Sequence, residues 1–170
     1  MLPDRVIHGG SVKRESWTFV GVEPDASTQP LPEGAIVVPL ALWKEQRASL
    51  QERTTPVGVW LKPDDEPGEL APDLGALRFI AVHFPKFTDG RGYSTATLLR
   101  RRYGYKGELR AFGDVGRDQL FYLKRVGFDS FALPPHRDPE SAIESFADFT
   151  VKYQAAIDEP VPLFRRRSAA

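Results

Sequence analysis

The stretch LRFIAVHF, residues 77–84, constrains this chain more than any other. It is nearly continuous in apolar side chains and shows no strict in–out alternation. A strand of that kind is covered on both faces, which is the condition of a parallel sheet rather than of a sheet with one face in water. Comparable runs are AIVVPL (35–40), VGVWLK (57–62), ELRAFG (108–113) and FDSFAL (128–133). Their starts lie roughly 20–30 residues apart, the spacing of strands alternating with helices.

The intervening segments carry helical spacing. Pro39 ends one run and can open LALWKEQRASLQER, with Trp43 and Leu50 on one face. Ala96, Leu99 and Tyr103 form a stripe in the segment after residue 94, and Gly104 or Gly107 can stop it. DVGRDQLFYLKRVG (114–127) reads as a loop and a helix. Asp138 and Pro139 supply a cap and a first-turn proline for a last helix, with Ile143, Phe146 and Tyr153 at helical spacing. The acidic segment 63–75 has room for a short helix only. The expected fold is α/β: a single domain with a mostly parallel sheet of about five strands alternating with helices. An open doubly wound sheet is the first expectation and a partial barrel the second. RVIHGGSVKRESWTFV (5–20) adds an N-terminal strand pair around Gly9 and Gly10. The expected division is residues 1–34 as a hairpin and loop appendage, 35–157 as the α/β core, and 158–170 as a basic tail.

Composition narrows the chemistry. The 170 residues hold no cysteine, which excludes a thiolate nucleophile and Cys-held zinc or iron–sulfur centres. His8, His83 and His136 show no metal-ligand spacing, so no metal is expected. No phosphate-loop, dinucleotide or Gly-x-Ser-x-Gly motif is present, and the cofactor is left unknown. The net charge of zero argues against nucleic acid as a partner. No apolar run is long enough to span a bilayer, and a cytoplasmic protein is expected. Charge is nonetheless uneven: residues 86–125 hold 10 basic and 4 acidic side chains, a balance of +6. Such a bias favours an anion.

Ligands of parallel α/β folds bind where strands end. The loop FTDGRGYS (87–94) and the residue before it offer Lys86, Asp89, Gly90, Arg91, Gly92, Tyr93 and Ser94. Glycines permit close backbone approach, and a forked guanidinium suits phosphate, sulfate or carboxylate. The next loop, GDVGRDQ (113–119), offers Asp114, Arg117 and Gln119. Asp89, Asp114 and His136 are the candidate acid–base groups. Each loop also has a plainer reading as a capped strand-to-helix turn, and His83 reads as a core or boundary histidine.

The segment FPKFTDGRGYSTATLLRRRYGYKGELRAFGDVGRDQLFYLKRVGFDSFAL resembles the bacterial "domain of unknown function 934" family. The resemblance runs from about residues 39–43 to 146–154, with FPKFTDGRGYS, GELRAFGDV, RDQLFYL and GFDSF as its marks. Gly116 departs from it, standing where a larger residue is expected. The resemblance implies a link to assimilatory sulfite reduction, because genes of the family commonly lie beside those of sulfite reductase. It implies no catalytic residues. An accessory protein that binds a small anion or sulfite reductase, an oxidoreductase with a noncovalent cofactor, and an enzyme acting on a small anionic or phosphorylated substrate all stay open.

Overall fold

The computed structural model describes residues 2–23 and 30–167. Part of the loop expected at 22–34, and the last residues of the basic tail, lie outside them. One sheet of eight strands organises the chain. They are β1 (Arg5–His8), β2 (Ser11–Arg14), β3 (Thr18–Phe19), β4 (Ile36–Pro39), β5 (Val57–Leu61), β6 (Phe79–Phe84), β7 (Glu108–Gly113) and β8 (Ser130–Ala132). The spatial order is β2-β1-β8-β7-β6-β5-β4-β3. From β3 to β8 every neighbouring pair is parallel, and β1 closes antiparallel onto β8. The apolar run at 77–84 supplies β6, in the middle of the parallel part.

The sheet is α/β as expected, but it is not doubly wound. Parallel strands follow one another in chain order with no reversal, so successive crossovers stay on one side. Helices α1 (Leu40–Glu45), α2 (Arg47–Gln51), α3 (Arg91–Thr97), α4 (Leu120–Arg125) and α5 (Pro139–Ile143) supply that side. Their Leu42, Trp43, Leu50, Ala96, Leu120, Leu123 and Ala142 pack with Val38, Val59, Ile80, Val82, Phe84 and Leu109 of the strands. The other face carries Val37, Trp60, Phe79, Ala81, Phe112 and Ala132, and among the described residues no helix residue packs there.

That second face is concave, and chain length explains why. A flat sheet of eight strands is about 34 Å across at the usual strand spacing. Its two edges, β2 and β3, are joined by residues 15–17 alone. An extended chain from Arg14 to Thr18 reaches at most about 14 Å. The sheet must therefore curl, and it forms a half-barrel. The connecting segment fills the hollow: Trp17 stacks on Phe79 with ring centroids 4.6 Å apart, and Phe19 meets Phe112 at 4.9 Å. The indole Nε1 of Trp60 donates to the Val20 carbonyl at 2.9 Å. Arg110, 2 % exposed, ion-pairs with Glu15 and Glu108 and donates through Nε to Ser130 Oγ at 2.8 Å. The N-terminal segment thus holds both edges of the sheet and occupies its inside.

The last helix is shorter than its spacing suggests. After α5 the chain makes one 3-10 turn (Glu144–Ala147), and Tyr153 stands exposed. Asp138 caps α5 through Ser141 N at 3.0 Å. The described part of the tail contains a short helix, α6 (Leu163–Arg167).

Candidate functional site

The loops after β6, β7 and β8 leave the same end of the half-barrel and are laced together. Phe87 N donates to Asp114 Oδ2 at 3.0 Å, and Gln119 Nε2 donates to the Phe87 carbonyl at 3.1 Å. Arg137 Nη2 lies 3.6 Å from Asp114 Oδ1, and Arg137 Nη1 donates to the Val115 carbonyl at 3.3 Å. Asp114 therefore binds its loop to both neighbours. Tyr93 makes an edge contact with Phe84 at 5.8 Å, and burial raises its phenol above the ordinary value.

Most of the charged groups expected to meet an anion have protein partners. Arg91 pairs with Asp89 at 2.6 Å and with Asp64. Its hydrogen bond holds the Asp89 carboxyl well down, to about 2. Arg117 faces Glu144 at 3.9 Å. The two loop glycines differ in role. Gly90 precedes α3 with open space around its Cα, whereas a Cβ on Gly92 would drive into the ring of Phe84. Gln119 is buried and holds Gly116 N at 2.8 Å. Lys86, Ser94 and His136 are exposed. His136 lines a recess of about 400 Å³ with Leu2, Gly113, Asp114 and Ala132.

A residue outside the expected set occupies the mouth of the hollow. His83 has the same strand parity as Phe79 and Ala81, so it points to the concave side at the carboxyl end of β6. Its imidazole stacks on Phe112, with centroids 4.9 Å apart and planes inclined by 26°. Trp60 meets its edge at 5.9 Å, and Lys62 Nζ lies 5.9 Å from the Trp60 ring. Neither ring nitrogen forms a hydrogen bond among the described residues, and neither is sealed from solvent. Burial lowers the His83 pKa from 6.5; Asp89 opposes the shift and Lys62 adds to it. Gly113 makes the position possible. It has φ of 104°, and a Cβ there would lie 2.9 Å from His83 Cδ2. Alternation along β6, counted from Phe79, is the signal that could have found His83.

The bacterial protein of unknown function family DUF934 matches residues 58–164 of this chain. The chain belongs to that family. The match includes all of β5 but Val57, β6 to β8 and the three laced loops, and therefore every residue of the mouth named above except Leu2. No curated protein and no solved structure matches. Among the described residues, no helix is long and apolar enough to cross a membrane.

Proposed function

We propose that the mouth of the concave face binds a small anion, with His83 as the group that senses or exchanges a proton and Lys62 as the nearby cation. The observation that carries this reading is the unbonded His83 imidazole, held flat on Phe112 beside Lys62. A neutral imidazole in an apolar setting donates through one nitrogen and accepts through the other. An arriving anion stabilises the protonated ring, so binding draws a proton onto His83. Lys62 and Lys86, which form no ion pair among the described residues, add positive charge at the ends of β5 and β6. Gly90, Arg91, Gly92 and Ser94 then serve as the frame of the neighbouring loop, with Arg91 engaged by Asp89 and Asp64.

The resemblance noted in the sequence implies a link to assimilatory sulfite reduction, and on that ground we propose that this anion belongs to that process, with the chain as an accessory protein or an oxidoreductase. Sulfite and bisulfite interconvert near neutral pH, and a histidine of depressed pKa suits such a ligand. Acid–base chemistry by Asp89 has less support, since Arg91 keeps that carboxyl ionised at any working pH.

Titration calorimetry with sulfite and sulfate, run at pH 7 in two buffers of different ionisation enthalpy, tests the reading. Binding accompanied by proton uptake, and abolished in His83→Phe, is expected. An absence of binding by the wild-type chain would refute it. Capture of sulfite reductase by the purified chain separates the accessory role, and a flavin absorbance band the oxidoreductase role.

A further inference from the structure

The opposite end of the half-barrel carries a second basic groove, independent of the His83 mouth. Two recesses adjoin there on the helix side. One, of about 420 Å³, is lined by Leu50, Arg53, Thr55, Val57 and Arg78 among others. The other, of about 590 Å³, is lined by Arg78, Tyr103, Tyr105 and Lys106 among others. They share Leu77 and Arg78, so Arg78 stands between them. Val57 begins β5, Arg78 immediately precedes β6, and Lys106 lies two residues before β7. The groove therefore follows the amino ends of three neighbouring parallel strands.

Its lining is basic although the chain as a whole is neutral. The chain as a whole has 23 basic and 23 acidic residues. Among the described residues, none that lines either recess is acidic. Among the described residues Arg53, Arg78 and Lys106 form no ion pair, and Arg78 and Lys106 form no side-chain hydrogen bond. Among the described residues Arg53 is fixed without being neutralised. Its Nη2 donates to the Pro32 carbonyl at 2.8 Å, the Gly34 carbonyl at 3.4 Å and Thr55 Oγ1 at 3.2 Å, all uncharged acceptors. At the mouth, by contrast, Arg91, Arg117 and Arg137 each face a carboxylate. Three cations without an acidic partner among the described residues, over a floor of Leu50 and Leu77, suit a ligand with more than one negative charge and an uncharged body. Recesses of this size hold a small organic molecule.

We propose that this groove binds a small organic polyanion of the bisphosphate or polycarboxylate class, centred on Arg78. Fructose 1,6-bisphosphate is a suitable probe, followed by amide chemical shifts of the full chain at low salt. Saturable shifts at Thr54, Thr55, Leu77, Arg78 and Lys106 are expected, with the His83 signals unmoved. Arg78→Ala should weaken the affinity at least tenfold and Lys106→Ala about threefold. Both side chains are exposed and form no bond among the described residues, so these variants should keep the wild-type spectrum elsewhere. Equal affinity in Arg78→Ala, or shifts confined to the His83 mouth, would overturn the proposal. So would tighter binding of a short single-stranded oligonucleotide at the same residues, which would assign the groove to nucleic acid. Failure of sulfite to bind at His83 leaves these outcomes unaffected.

Discussion

The imidazole of His83 lies on the ring of Phe112, centroids 4.9 Å apart, with neither nitrogen tied to another described residue. Stacking fixes the plane of the ring while leaving its chemistry free, and each consequence can be measured.

Burial lowers the His83 pKa below 6.5. The unfolded chain then binds this proton more readily than the folded one, so stability falls as pH drops through and below 6.5. His83→Phe keeps the stack and removes the titration. Denaturant unfolding between pH 5 and 8 should show a shallower acid loss in the variant. Identical slopes would place the pH dependence elsewhere.

Asp89 is held to about 2 by Arg91. Arg91→Ala should return its carboxyl toward the ordinary value, read by carboxyl carbon shifts between pH 2 and 5. Asp89→Asn should lower the His83 pKa further, because the Asp89 charge raises it, whereas Lys62→Ala should raise it. Opposite signs would separate these groups from the mouth.

Gly113 combines φ of 104° with close contact to Phe84 and His83. Gly113→Ala should cost about 1–3 kcal/mol from backbone strain alone. It should also shift the His83 ring protons, which a purely local strain would leave in place. Thermal unfolding and one-dimensional NMR suffice for both.

Arg110 is enclosed by Glu15, Glu108 and the Phe79 ring, the last 4.6 Å from its guanidinium carbon. Arg110→Ala removes the guanidinium partner of Glu15 and Glu108 inside the half-barrel and should destabilise by about 3–5 kcal/mol. Denaturant unfolding of this variant measures how firmly the N-terminal segment is held in the hollow. A loss below about 1 kcal/mol would show that the segment is held by its aromatic contacts instead.

The strands from β4 to β8 were legible because each is a short apolar run between turn-forming residues, and β6 because it lacks alternation. The winding was not. Periodicity reports which residues are buried, not the side of the sheet on which a crossover returns. The deciding feature is the short link from Arg14 to Thr18, whose meaning appears only once β2 and β3 are known to lie at opposite edges. The site was legible in part. Successive parallel strands do bring FTDGRGYS and GDVGRDQ together, but residue type alone could not reveal that Arg91 and Asp114 have protein partners. In the sequence His83 reads as a core or boundary residue because the run around it is apolar. Its parity and its place at the end of β6 point it into the mouth.

The most direct test of the central claim is a pH titration of the His83 imidazole by NMR, with and without sulfite at low salt. Binding at the mouth predicts a pKa below 6.5 in the free chain and a clear rise with sulfite, lost in Lys62→Ala. A His83 pKa that sulfite leaves unchanged would contradict it.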